Sequence, residues 1–353
     1  MTIYQSSHFY IFADLKKTPL MKNIIVFLSL TFFFIACQPD KKVTPPPPAA
    51  TAPPMKKIKI PKFDSESAYN FIAEQVAFGP RIPNTEGHKA CKNYLVNKLK
   101  EFGATVIEQD FKAKAYTGTT LNGTNIIGQY NPTAKKRILL AAHWDTRHIT
   151  DNDPDESQRN NPVMGADDGA SGVGVLLEIA RNLGSTPIEN IGIDIIFFDA
   201  EDHGETGSED NKSWCLGSRH WANNPHVTGY RANYGILLDM VGGKNARFPI
   251  EGVSAKFAPD VVRKVWKLAQ GMGFGDYFSE QNVSGITDDH LFVNQIAKIP
   301  MIDIINLPTD TEQTFVKHWH TNDDTMENID KRTLRAVGQV VMATLYNEAM
   351  GRM

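Results

Sequence analysis

Four apolar runs constrain this chain more than any other feature: RILLAAH from Arg137, IGIDIIFFDA from Ile191, YGILLDM from Tyr234 and IPMIDII from Ile299. Their aliphatic and aromatic side chains follow one another with little alternation, the pattern of strands buried on both faces. Between them lie the amphipathic segments EGHKACKNYLVNKLKEFG, SGVGVLLEIARNLG and APDVVRKVWKLAQGMG. Each closes on a glycine (Gly103, Gly184, Gly271) placed as a helix C-cap would be, and Lys331 to Met350 reads as a long final helix. Strand and helix in turn predict an α/β fold, a single domain with a central, mostly parallel twisted sheet and helices on both faces. No internal repeat and no second proline-rich break interrupts 63–353, which reads as one domain.

The residues before Phe63 differ in kind. Met21, the expected true start, opens a short basic stretch that runs into IIVFLSLTFFFIA and then Cys37. A spanning helix needs about 20 apolar residues, more than this run has, so 1–36 reads as a signal peptide. FIAC, Phe34 to Cys37, resembles the lipobox of bacterial lipoproteins. That resemblance implies a lipidated Cys37, an exported chain anchored to a bacterial membrane, and a domain in the periplasm or at the cell surface. Residues 37–62 are proline-rich and poor in aromatic residues, a tether able to reach roughly 80 Å at ~3.1 Å per residue. Cys91 and Cys215 are too few for a disulfide framework and are expected to be buried or free. The formal net charge of −3 gives no reason to expect a nucleic-acid partner. Nothing in the sequence sets the oligomeric state.

Three of the apolar runs end on ionisable groups and the fourth holds one near its centre. His143 and Asp145 follow the first, Asp199, Glu201 and Asp202 the second, and Asp239 the third, while Asp303 lies inside the fourth. In an open α/β sheet, ligands gather at the carboxyl ends of the strands. GADDGASG, Gly165 to Gly172, sets Asp167 and Asp168 on a glycine-lined turn before a helix, and HWHTNDDTMENID, from His318, adds histidines near the end of the chain. A lone histidine or aspartate is usually a hydrogen-bonded structural residue, but histidine with several carboxylates is also a set that Zn²⁺ accepts.

The order HWD, GADDGASG, FFDAED, LLD and WHT resembles the zinc aminopeptidases of the M28 type. More specifically it is similar to their relatives, the animal-type glutaminyl-peptide cyclotransferases found also in Bacteroidetes, over about Phe71 to the end. The resemblance implies zinc ligands at Asp168, Asp202 and His320, and a general acid/base at Glu201. Asp202 departs from the family, where Glu is common. GSRHWA at Gly217 and ITDDH at Ile286 favour the cyclase branch. There the resemblance implies a hydrogen-bonded pair of Asp239 and Asp288 behind the substrate and a pocket lined by Trp319, with Thr287 and Trp214 as further substrate contacts. Trp214 could equally pack beside Cys215. Asp303 stands where animal cyclases tend to have His.

The implied reaction turns an N-terminal glutamine of a peptide or protein into pyroglutamate and releases ammonia, with one Zn²⁺. The alternative is an M28-type aminopeptidase with two zincs, the second held by His143, Asp239 and a bridging Asp168, with Asp145 orienting His143. A tethered binding module without chemistry ranks third, since it would have no use for Glu201. DNDPDESQRNN, Asp151 to Asn161, reads as a solvated loop, and His148, His203, His226 and His318 as solvated bystanders. Thr321 and Asp323 are expected to shape the loop before the last helix, with Asp324 as part of the same feature, and His290 to hydrogen-bond locally.

Overall fold

The computed structural model describes residues 59–208, 212–309 and 314–353. The signal segment, Cys37 and the tether as far as residue 58 lie outside the described residues. Beyond them Ile60 already packs on the core and Pro61 accepts a hydrogen bond from Gln339, so the packing of the domain begins before Phe63.

Six strands form the main sheet: β1 (Thr105–Lys114), β2 (Thr120–Tyr130), β3 (Arg137–His143), β4 (Gly192–Phe198), β5 (Tyr234–Asp239) and β8 (Met301–Ile305). Two short strands, β6 (Phe248–Ile250) and β7 (Phe278–Asn282), pair separately. The sheet order is β1-β2-β4-β3-β5-β8. The four apolar runs are its parallel strands β4, β3, β5 and β8, and the hairpin β1–β2 adds an antiparallel edge. β3 and β4 are buried along their whole length. Ile138, Leu140, Ala142, Ile195, Phe197, Ile236 and Leu238 face one hydrophobic cluster, whereas Leu139, Ala141, Ile196, Phe198 and Leu237 face another. That two-sided burial explains the missing alternation in these runs.

Helices α1 (Ser65–Val76), α2 (Glu86–Glu101), α3 (Ala170–Ser185), α6 (Pro259–Gly271) and α8 (Lys331–Ala349) contribute to the larger cluster. The opposite face is covered by α4 (Leu216–Asn223) and by the turns after α7 (Asp289–Phe292). A short helix α5 (Gly252–Phe257) packs beside β8. Gly103 follows α2 with a φ of +84°, as the sequence predicts. Gly184 does not cap α3: it lies within the helix, and a Cβ there would strike the Phe102 carbonyl, so it marks a close approach. For the same reason Gly172 lets the start of α3 settle on the Leu238 carbonyl, which brings the turn before α3 over the ends of β3 and β5.

β3 and β5 are neighbours, and the chain leaves β3 for β4 on one side but β5 for β8 on the other, so the connections from these two strands run in opposite directions. The carboxyl ends at such a reversal leave a crevice open to ligands. His143, the segment 199–202 and Asp239 all stand at this edge.

Candidate active site

A cavity of about 220 Å³ opens at this crevice, lined by acids (Asp168, Glu201, Asp202, Asp239, Asp288), by His320, and by Trp214, Phe315, Trp319 and Thr287. The loops that deliver these side chains are strained. Ala200, Cys215, Met240 and His320 all have positive φ, between 46° and 58°. Each such residue costs of order 1–3 kcal/mol and persists only where its surroundings over-determine it. All four adjoin an acid of the cavity in sequence or space: Ala200 precedes Glu201, Cys215 touches Glu201, Met240 follows Asp239, and His320 lies against Asp202.

Asp168, Asp202 and His320 converge. His320 Nε2 lies 2.9 Å from Asp202 Oδ1 and 3.6 Å from Asp168 Oδ2. Yet both Asp202 oxygens and Asp168 Oδ2 are buried and make no hydrogen bond. Carboxylate oxygens held out of water without hydrogen bonds cost several kcal/mol unless a cation completes them. The donor set therefore fits a metal ion with three protein ligands and an open position toward the cavity, the arrangement of catalytic zinc sites. The short arm of Asp202 still reaches the common point.

A second group shares Asp168. His143 Nε2 is 3.0 Å from Asp168 Oδ1 and hydrogen-bonded at 3.2 Å to Asp239 Oδ1. Burial, opposed by His143 and reinforced by Asp168, pushes the Asp239 carboxyl up to about 8.

The surroundings of these ligands are the part that sequence reasoning missed. Asp151 is not a solvated loop residue: its Oδ1 lies 3.4 Å from His320 Nδ1, and Arg147 grips its carboxylate at 2.7 and 2.8 Å. Burial opposes His320 protonation, but Asp202 and Asp151 outweigh it and bring the imidazole up to about 9. Arg147 is fully buried; it also donates to the Asp202 and Gly204 carbonyls and stacks on Trp214. Asp153 ties the same loop to Asn322. Asp145 lies behind His143, its Oδ1 3.7 Å from the ring Nδ1, and its two oxygens also accept from the Glu201 and Asp202 amides at 3.0 and 3.2 Å.

The glycine turn is held in a similar way. Asp324, expected as a loop feature, is fully buried and accepts from the Asp167 and Asp168 amides at 2.7 and 3.1 Å. His318 is no bystander, since its Nε2 bonds Asp167 Oδ2 at 2.8 Å, and Asp167 in turn accepts from Gly242. Asp167 thus faces away from the cavity and Asp168 into it. His203 and His226 are likewise packed: His203 stacks on the half-buried His148, and His226 accepts from the Trp221 indole. Thr321 shapes the loop as expected, accepting from Asp323 and donating to the His318 carbonyl.

Glu201 lines the cavity beside Asp202. Burial, opposed by His143 and reinforced by Asp202 and Asp288, holds its carboxyl well above the usual range. Asp199, by contrast, turns inward to His88 and Thr124 and is structural. Asp239 and Asp288 both line the cavity, and Asp288 is near enough to raise the Asp239 carboxyl further. Asp288 belongs to two groups, one with Glu201 and Cys215 and the other a buried cluster with Asp303 and His290, whose Nε2 bonds Glu251 at 3.0 Å. Burial and the nearby Asp288, Asp239 and Glu251 raise Asp303 well above the carboxylate range. Trp214 resolves as a cavity wall, parallel to His320 at 6.1 Å, while Trp319 lies against His320 at 3.8 Å. Cys91 and Cys215 are free and buried.

The model of peptidase family M28 matches residues 125–345, a span that holds every candidate ligand above. The chain belongs to peptidase family M28. Within this family it is 53% identical to Bacteroides thetaiotaomicron glutaminyl cyclase, solved bound to N-acetylhistamine, with a TM-score of 0.79 over 82% of this chain and 99% of that one. A Zn-dependent exopeptidase from Parabacteroides distasonis is 52% identical at a TM-score of 0.80, covering 82% and 100%. The glutaminyl-peptide cyclotransferase of Bos taurus is 27% identical over 74% of this chain and 76% of its own.

Proposed function

We propose that this M28 chain is a zinc-dependent glutaminyl-peptide cyclotransferase, converting the N-terminal glutamine of exported peptides or proteins to pyroglutamate. The observation that carries the reading is the joining of a cavity walled by Trp214 and Trp319 to a buried Glu201, in a chain about half identical to a glutaminyl cyclase along nearly all of that enzyme. Asp168, Asp202 and His320 would hold zinc. The ion, when bound, supplies Lewis-acid polarisation of an amide carbonyl.

The chain's own residues do the rest. The indoles of Trp319 and Trp214, with Thr287, hold the glutamine so that its α-amine faces its own side-chain carbon. Because nucleophile and electrophile belong to one residue, much of the encounter entropy is already spent. Glu201 accepts a proton from the attacking amine and returns it to the departing nitrogen, so that a C–N bond forms, another breaks, and ammonia leaves. Raised from the ordinary carboxylate range, Glu201 is suited to both transfers. Asp288, at the cavity wall with Asp303 behind it, and Asp239 at the end of β5 complete the acidic lining.

A two-zinc aminopeptidase would rest on the group His143, Asp168 and Asp239. Purified chain offered a Gln-initiated peptide and a Leu-anilide should release ammonia from the first and leave the second intact. Glu201→Gln should lower cyclisation by about 10²-fold or more. Anilide hydrolysis with two tightly bound zincs per chain would favour the peptidase instead.

We also propose that Cys37 is lipidated and tethers the domain to a membrane. Among the described residues no helix is long and apolar enough to cross one. Cys37→Ser should abolish incorporation of labelled fatty acid and shift the protein to the soluble fraction; an unlabelled wild type would refute the anchor.

A further inference from the structure

Cys215 is one of two free thiols in the described domain, and it stands against the acid/base. Its Sγ donates to Glu201 Oε1 at 3.1 Å, and it is wholly buried. The contact is fixed from the backbone as well. The Cys215 amide donates to the Glu201 carbonyl at 2.9 Å, the Leu216 amide donates to the Ala200 carbonyl at 3.0 Å, and Cys215 itself has a left-handed φ of 58° at the start of α4. Gly217, two residues on, sits so close to the Asp199 carbonyl that no side chain would fit. The start of α4 is therefore locked onto the segment that carries Glu201, and the thiol has one direction in which to point.

We propose that Cys215 is a positioning residue for the cyclisation, its S–H anchoring Glu201 Oε1 so that the other carboxylate oxygen faces the substrate amine. The inference rests on Glu201 acting as the acid/base in the proposed reaction. A thiol is a weak donor, which suits this role: it orients a carboxylate that must exchange protons without holding it as an arginine would. Asp145 secures the Glu201 amide, so the backbone is held at both its amide and its carbonyl and the carboxylate by the thiol. Burial, with Glu201 close by, pushes the thiol well above its usual range, so it remains S–H, the form that can donate.

The test compares Cys215→Ala and Cys215→Ser with wild type in the zinc-loaded enzyme, on a Gln-initiated peptide. The alanine variant should lose roughly tenfold in kcat with KM little changed, part of the ~10²–10⁴-fold that a positioned acid/base supplies. Serine, which keeps an O–H donor, should recover most of that loss. Full kcat in the alanine variant, or equal losses in both variants with a raised KM, would overturn the proposal. If the alanine variant does not fold, the infrared S–H stretch decides. In wild-type minus Cys215→Ser difference spectra the band should lie at the low frequency of a hydrogen-bonded thiol and move upward in a Glu201→Gln background, where the acceptor is weaker. A band that ignores Glu201→Gln contradicts the contact. Failure of the proposed function is separate, because it appears as a wild-type chain that forms no pyroglutamate.

Discussion

His320 reaches the cavity from a left-handed backbone conformation, and its second nitrogen faces Asp151, which Arg147 holds in a two-point grip. A carboxylate behind a ligating histidine fixes the ring and raises its basicity, and losing such a partner typically costs about 10–100-fold in metal affinity. Asp151→Asn should therefore weaken zinc retention by that order, measured by competition with a chelator, while the melting temperature of the zinc-saturated enzyme changes little. Unchanged retention would remove Asp151 from the site. Residues of this rank were not legible in the sequence. Asp168 and Glu201 stand out because strand ends and a glycine turn mark them, and a resemblance then assigns their roles. Asp151 and Asp324 carry no such mark, since what defines them is a partner far along the chain: the bond from the Asp167 amide to Asp324 spans 157 residues. His318 was misread for the same reason.

Among the elements, Glu251 is the tie that holds one wall of the cavity. It caps α5 through the Val253 and Ser254 amides, accepts from the Ile286 amide just before Thr287 and Asp288, and binds His290 at the start of α7. Burial works against its ionisation, but His290 and the two cap amides outweigh it and bring its carboxyl down to about 2 from 4.5. A depressed carboxylate contributes its stability above the unfolded value and loses it as pH falls through the folded one. At 1.36 kcal/mol per unit, the contribution above pH 4.5 is about 3 kcal/mol. Glu251→Gln should accordingly be less stable than wild type at neutral pH in urea titrations, with the difference shrinking between pH 4.5 and 2. A difference independent of pH would show that the ionised form is not what matters. The elements themselves were legible where burial is two-sided: the four apolar runs are the four parallel strands, within one or two residues. β1 and β2 were not, because β1 is an edge strand with polar, largely exposed residues, and its partner carries glycines beneath the Phe111 ring and Leu99. Such a hairpin has neither the run nor the clean alternation that signals a strand.

At the scale of the whole molecule, one sheet gathers groups from widely separated stretches of chain into a crevice at its carboxyl edge. The α/β class and the position of the crevice were legible from the order of runs and helices. Which acids face inward was not, since Asp167 and Asp168, or Asp199 and Asp202, differ only in the direction that the folded turn gives them. The central claim is that this cavity closes a glutamine on itself and does not hydrolyse a peptide bond. Mass spectrometry of a Gln-initiated peptide incubated with the zinc-loaded enzyme tests it most directly. The account predicts a product of full peptide length lacking one ammonia; free glutamine and a peptide shortened by one residue would contradict it.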